Sequence, residues 1–122
     1  MKIKNQCNGI KLLTSINALT DFEAVGSEAP KPVLVGCLHN NFEYKEQVEA
    51  LQHISQTFGD QLEIFLLDVP LIKAFMQKFR IFGTPTFLIL LAGQEKGRLL
   101  GQTKSEDLRD FVLRILPGFH PR

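Results

Sequence analysis

The stretch "FGTPTFLIL", residues 82–90, places a Gly-Thr-Pro tripeptide directly before a run of apolar residues. Such a run is typical of a buried strand, but proline lacks the N–H group that strand pairing uses. Pro85 fits the start of a central strand only if the chain turns sharply there, and an X-Pro bond can adopt the cis form at a cost of about 0.5–1 kcal/mol. The stretch therefore predicts a strand that begins at a turn formed by Thr84 and Pro85.

Strand and helix patterns alternate on both sides of this stretch. Apolar runs predict strands over residues 9–13, 33–38, 62–69 and 86–92, and a last strand over 98–102 that follows a turn at 93–97. Helical spacing predicts helices over residues 14–25, 42–58, 70–79 and 105–116, the last with a capping box of Thr103 and Glu106. The order βαβαβαββα predicts an α/β fold with a central mixed β-sheet and helices on both faces.

Composition narrows the class of protein. A chain of 122 residues with 22% charged residues is long enough for one compact domain, which we expect to span residues 1–122. The net charge is +1 without a run of Lys or Arg, so we expect no nucleic-acid partner. No apolar window is long enough to cross a membrane and the first residues lack the apolar core of a signal peptide, so a cytoplasmic location is the default expectation.

The cysteines and histidines show no spacing typical of metal ligands. The chain has two cysteines, Cys7 and Cys37, and three histidines, which are His39, His53 and His120. Two cysteines are too few for a disulfide scaffold or for a zinc site made of cysteines. We therefore expect no metal and no cofactor.

A Gly-Thr-Pro tripeptide followed by a strand, a hairpin and a helix resembles the thioredoxin family. The resemblance extends without a gap over residues 33–116, and the first thirty residues match only in the order of elements. It implies a thioredoxin fold and a cis peptide bond between Thr84 and Pro85.

The same resemblance aligns the family's Cys-x-x-Cys redox motif with four residues that include no cysteine. These are Asn41, Phe42, Glu43 and Tyr44. The tryptophan that usually precedes the motif is Asn40 here, and the buried aspartate of thioredoxins is Val35. Thiol–disulfide exchange needs an attacking thiolate and a second thiol to resolve the mixed disulfide. The sequence therefore predicts a member without dithiol–disulfide oxidoreductase activity.

A structural role explains part of this degenerate motif. Asn40 or Asn41 can cap the following helix, and Glu43 places negative charge near the positive end of the helix dipole. This interpretation leaves the aromatic side chains of Phe42 and Tyr44 unexplained.

A binding role follows from the groove in which thioredoxins hold their clients. The matching positions in this chain are Asn40, Phe42, Tyr44, Phe82, Gly83, Thr84, Pro85, Gly101 and Gln102. The resemblance implies a protein or peptide client, held by a redox-inactive adaptor, chaperone or assembly factor. Phe42, Tyr44 and Phe82 are the aromatic residues that would contact a client, unless Phe42 and Phe82 fold inward as core residues.

An alternative function is a single-thiol enzyme or redox sensor that uses Cys37, with Cys7 as a resolving partner. His39 lies two residues after Cys37, so the two side chains can share one face of a strand. A reactive thiol needs exposure and a positive neighbour, whereas a cysteine in an apolar strand is usually a small buried hydrophobe. The reactivity of Cys37 in the folded protein therefore distinguishes the two hypotheses.

Overall fold

The computed structural model of the chain describes residues 9–17 and 31–121. The strands are β1 (Ile10–Leu13), β2 (Val33–Cys37), β3 (Glu63–Leu67), β4 (Thr86–Leu91) and β5 (Gln94–Leu100). The helices are α1 (Tyr44–Phe58), α2 (Ile72–Phe79) and α3 (Ser105–Ile115), and short 3-10 turns cover Gly59–Gln61 and Val69–Leu71. The helix predicted over residues 14–25 lies, from residue 18 onward, outside the described residues.

The five strands form one mixed sheet in the order β1-β3-β2-β4-β5. β3 runs parallel to both β1 and β2, whereas β4 runs antiparallel to β2 and β5 antiparallel to β4. As a result, the loop after β2, the loop before β4 and the loop after β5 all leave the sheet at the same edge.

Two apolar layers cover the sheet. On one face, α1 and α3 bury residues such as Leu51, Phe58 and Phe111 against alternate residues of the strands. On the other face, α2 buries Phe75 against Val35 and its neighbours in the sheet. The structure thus confirms the predicted mixed sheet with helices on both faces.

Gly36 brings α1 close to the sheet. A Cβ at this position in β2 would lie 3.0 Å from the Leu51 side chain of α1 and 3.3 Å from Leu66 of β3. The absence of a side chain therefore allows close packing between α1 and β2, which fixes the start of α1 beside the end of β2.

The hairpin between β4 and β5 is tighter than the sequence indicates. Ala92 and Gly93 alone form the turn, with φ angles of 53° and 78°, the positive pair that two-residue hairpins favour. The predicted turn over residues 93–97 and strand over 98–102 were therefore wrong in their bounds. Residues 94–96 are exposed on an edge strand, so their polar side chains gave the pattern of a loop.

The predicted start of α1 and the predicted cap of α3 were also wrong, although α3 does begin at Ser105 as expected. α1 begins at Tyr44 rather than Phe42, and Glu43 is its N-cap residue without a side-chain cap hydrogen bond. The capping box of Thr103 and Glu106 does not form, because Lys104 is the N-cap residue of α3. The backbone N–H of Thr103 instead donates to Gln47 Oε1 at 3.0 Å.

None of the helices within residues 9–17 and 31–121 combines the length and the apolar character that a bilayer crossing requires.

Candidate functional site

The loop before β4 carries the most exposed large apolar side chain in the described part of the chain. Phe82 is 93% exposed, although its neighbour Ile81 is 4% exposed and packs into the core beside α2. The Thr84–Pro85 bond is cis, as the resemblance to thioredoxins implies. Thr86, the first residue of β4, is buried, and its hydroxyl donates to the Gly83 carbonyl at 2.8 Å.

Arg98 of β5 holds the start of this loop. Its guanidinium pairs with Glu95 at 2.6 Å and donates to the carbonyl oxygens of Phe79 at 2.6 Å and Arg80 at 3.2 Å. The hydrogen bond from Arg98 lowers the pKa of the Glu95 carboxyl. Arg98 thereby joins β5 to the C-terminal end of α2 and fixes the point from which residues 81–85 begin.

A mostly apolar groove lies beside Pro85. We call it the proline groove, and it has a volume of about 400 Å³. Its lining residues are Phe82, Gly83, Thr84, Pro85, Thr86, Arg98, Leu100 and Gly101. Leu100 is 68% exposed, so the groove has an uncovered apolar side chain on each side.

The loop between β2 and α1 borders the other side of Thr84 and Pro85. Asn41 orders this loop: its side-chain oxygen accepts from the Glu43 N–H at 2.9 Å and its carbonyl accepts from the Tyr44 N–H at 3.0 Å. The predicted capping of α1 by Asn40 or Asn41 was therefore wrong. Asn41 instead accepts from the N–H of Glu43, the N-cap residue, and orders a turn just before the helix. Phe42, between these bonds, is 89% exposed.

A crevice separates this loop from Thr84. Its volume is about 10 Å³, room for about one water molecule. Polar residues line it, including His39, Glu43 and Gln47 on the side of the loop and α1, and Thr84 on the other side. His39 Nδ1 lies 2.9 Å from Thr84 Oγ1, and this hydrogen bond joins the loop after β2 to the loop before β4.

The third loop, residues 101–103, contacts both of the others. The Gly101 N–H donates to the Pro85 carbonyl at 2.8 Å, and Gly101 has a φ angle of 89° that favours glycine. The Gln102 side chain donates a hydrogen bond to the Glu43 carboxylate. These contacts make the three loops one continuous surface.

The predicted binding residues therefore separate into three groups. Phe82, Gly83, Thr84, Pro85 and Gly101 line the proline groove. Tyr44 lines the crevice and packs against the core, and Gln102 bonds to Glu43. Phe42 and Asn40 are exposed on the loop between β2 and α1 and line neither cavity.

Sequence reasoning also missed residues that line the groove or the crevice, and Leu100, His39 and Gln47 show why. Leu100 had a signal, because one of two consecutive leucines in an edge strand must point away from the face that the other buries. His39 was considered only as a partner of Cys37, and its contact with Thr84 depends on tertiary structure. Gln47 was not considered, because a glutamine within a helix gives no pattern that distinguishes a buried side chain from an exposed one.

Cys37 lies away from this surface. Its side chain is buried in the layer beside α2, its thiol is free, and burial raises its pKa to about 11. His39 is exposed and bonds to Thr84, so Cys37 and His39 do not form the pair that the alternative hypothesis considered. Cys7 lies outside the described residues. Within residues 9–17 and 31–121, no three His, Cys, Asp or Glu side chains group as metal ligands.

The chain is similar in structure to several proteins of known structure. No protein-family model matches the chain, and no curated protein does. Trxlp from Edwardsiella tarda EIB202, known from a crystal structure, is 29% identical, with a TM-score of 0.67 over 84% of this chain and 96% of that one.

Two further solved structures are more distant in sequence. A mutant thioredoxin from Halobacterium salinarum NRC-1 is 13% identical, with a TM-score of 0.70 over 88% of this chain and 91% of that one. A designed protein is 20% identical, with a TM-score of 0.71 over 87% of this chain and 91% of that one. These three neighbours show that the chain has the thioredoxin fold.

Proposed function

We propose that the chain is a redox-inactive thioredoxin-like protein that binds an extended segment of a protein client in the proline groove. One observation carries this proposal: Phe82 is 93% exposed beside an open apolar groove, in a chain that buries most of its other large apolar side chains. Burying a phenylalanine side chain stabilises a complex by roughly 1.5–3 kcal/mol. A client that covers Phe82 removes this side chain from water, and the complex is stabilised by that amount.

The backbone of Thr84 supports an extended partner. Within the described part of the chain, neither its N–H nor its C=O makes a hydrogen bond. Thr84 lines the groove, so an extended client segment can pair with these two groups in the manner of strand addition. Gly83 adds no side chain beside this backbone. The space around its Cβ position is open, with no atom within 4 Å.

The sequence supports the redox-inactive part of the proposal. Its two cysteines, Cys7 and Cys37, do not have Cys-x-x-Cys spacing, and the thiol of Cys37 is buried. Reduction of a disulfide by exchange needs an accessible thiolate. In an insulin-reduction assay with dithiothreitol, we expect the turbidity of the protein sample to follow the buffer blank. Faster turbidity that is lost in a Cys37→Ser variant would favour the single-thiol enzyme instead.

The binding part is tested with a selected peptide. Random dodecapeptides displayed on phage are selected on the immobilised wild-type protein, and the enriched sequence, which we call the selected peptide, is synthesised with a fluorescent label. We expect Phe82→Ala to weaken its binding by about 10-fold to 150-fold, which corresponds to roughly 1.5–3 kcal/mol. Thr84→Arg should weaken binding as well, because it puts a long charged side chain on a residue that lines the groove and removes the hydrogen bond with His39 that holds this loop.

Leu12→Ala serves as the matched control. Leu12 is 48% exposed on β1, at the opposite edge of the sheet from β5, so its truncation also removes exposed apolar surface. We expect its affinity for the selected peptide to equal that of the wild type. Unchanged affinity in both Phe82→Ala and Thr84→Arg, with folding intact, would show that the proline groove is not the binding surface.

A further inference from the structure

Gln47 is a buried polar residue on the inner side of α1. Gln47 is 2% exposed. In the described part of the chain, the buried polar residues are Gln47 and Thr86. Both atoms of the Gln47 amide bond to the backbone of one residue: Nε2 donates to the Thr103 carbonyl at 3.2 Å, and Oε1 accepts from the Thr103 N–H at 3.0 Å. The amide thus pairs with Thr103 as a neighbouring strand would.

The free-energy cost of an unpaired buried amide makes this arrangement specific. A buried donor or acceptor without a partner costs roughly 1–3 kcal/mol, so the Gln47 side chain favours the single position of Thr103 that satisfies both of its atoms. The helix that carries Gln47 is itself fixed on the sheet by Gly36. The position of Thr103 is therefore set from the rigid core of the molecule.

Thr103 in turn sets the position of Gly101, which lines the proline groove. Only Gln102 separates the two residues, and the Gln102 side chain bonds to Glu43, one helical turn before Gln47 on the same helix. On its other side, Gly101 bonds to the Pro85 carbonyl at 2.8 Å. Residues 101–103 are thus attached to α1 and to the loop before β4 at the same time.

We propose that Gln47 is a positioning residue that holds residues 101–103 in place, so that Gly101, their member in the wall of the proline groove, is preorganised before a client binds. This inference rests on the proposed function. Gln47 does not contact the client, because it is buried behind the loop that it holds. Its effect on affinity comes from the ordering cost that a mobile wall would add to each binding event.

The test compares two glutamine-to-leucine variants. Gln47→Leu keeps a side chain of similar size but cannot bond to Thr103. Gln61→Leu is the matched control, since Gln61 makes an equivalent amide pair with the backbone of His120, at 2.8 and 3.1 Å, beyond the opposite end of α1. Two quantities are measured for each: the hydrogen-exchange rate of the Thr103 amide, and the affinity for the selected peptide.

In Gln47→Leu we expect the Thr103 amide to exchange at least about tenfold faster and the affinity to fall by about tenfold, the effect of losing one to two net hydrogen bonds. Gln61→Leu should change neither quantity. If Gln47→Leu binds the selected peptide as tightly as the wild type, the inference is overturned while the proposed function stands. If the wild type selects no peptide, the proposed function fails and the inference fails with it.

A second variant and a measurement on the wild type keep the inference testable if Gln47→Leu does not fold. If Gln47→Leu is unfolded, the same two quantities are measured in Gln47→Met, whose flexible side chain fills irregular space more easily. In the wild type without peptide, the Thr103 amide should already be protected at least about a hundredfold against exchange. Protection that is present only in the complex would overturn preorganisation.

Discussion

At the scale of single residues, adding one methyl group at Gly83 should weaken peptide binding without destabilising the fold. Its Cβ position meets nothing within 4 Å, and its φ angle lies outside the left-handed region. We expect Gly83→Ala to leave the free energy of unfolding unchanged or to raise it by up to about 1 kcal/mol. The added methyl group stands on the surface of the proline groove, so affinity for the selected peptide should fall.

Gly101→Ala provides the contrast on the other side of the groove. Space is open there too, but the φ angle of 89° strains any residue with a side chain. This variant should lose about 1 kcal/mol or more of unfolding free energy. Urea unfolding and peptide titration check both variants. A Gly83→Ala protein that binds the selected peptide like the wild type would contradict the placement of the peptide over Gly83.

The thiol of Cys37 should be unreactive in the folded protein. Burial raises its pKa from 9.0 to about 11, which lowers the thiolate fraction at pH 7 by about a hundredfold. In a Cys7→Ser variant, we expect a disulfide reagent such as DTNB to modify Cys37 at least about a hundredfold more slowly in the native state than in guanidinium.

The pH dependence of that reaction has a definite sign. Because the raised pKa keeps the thiol protonated, the native-state rate should increase about tenfold for each rise of one in pH, up to a pH of about 11. Rapid modification at neutral pH, with the protein still folded, would instead favour the single-thiol alternative.

The identity of the exposed aromatic residues followed from sequence, but their orientation did not. The resemblance aligned Phe42 and Phe82 with the client-binding surface, yet phenylalanine is often buried and both could have been core residues. Their exposure of 89% and 93% is set by the loops that carry them. For Phe82, the neighbouring Ile81 occupies the core, and for Phe42, hydrogen bonds of Asn41 hold the turn on which it stands.

At the scale of elements, the side chain of Gln61 connects the segment after α3 to the end of α1. Gln61 pairs with both backbone groups of His120 and donates to the Phe58 carbonyl at 3.0 Å. Phe119 lies against Phe58, with ring centroids 5.8 Å apart. We expect Gln61→Ala to lower the free energy of unfolding by about 1–2 kcal/mol, because all three hydrogen bonds of this partly exposed amide are lost.

Urea unfolding measures this change, with Gln56→Ala as the control. Gln56 is exposed on α1 and its side chain makes no hydrogen bond within the described residues, so its replacement should have little effect. A Gln61→Ala protein with the same unfolding midpoint as Gln56→Ala would show that the pairing with His120 does not stabilise the chain.

Whether an element could be predicted depended on how much of it is buried. β2 and β4 are buried along nearly their whole length and were found from their apolar runs. β5 begins with three exposed residues, and its strand conformation depends on pairing with β4 rather than on its own composition. The start of α3 at Ser105 was predicted correctly, but its capping box was not, because Thr103 is held by Gln47, 56 positions earlier in the chain.

At the scale of the whole molecule, the sheet order brings the three loops together. β2, β4 and β5 are neighbours, and the connection after β2, the one before β4 and the one after β5 leave the same edge of the sheet. Hydrogen bonds from His39 to Thr84 and from Gly101 to Pro85 then join them. The resemblance to thioredoxins implied this convergence, whereas the bonds that fix the loops depend on side chains that carry no local signal.

Titration of the ¹⁵N-labelled wild-type protein with the selected peptide, followed by amide chemical shifts, shows directly whether an extended client binds in the proline groove. We predict that the largest changes fall on residues 82–84 and 100–102, with no change in β1 or around His120. Changes confined to another surface, or no change at peptide concentrations well above the measured Kd, would contradict binding in the proline groove.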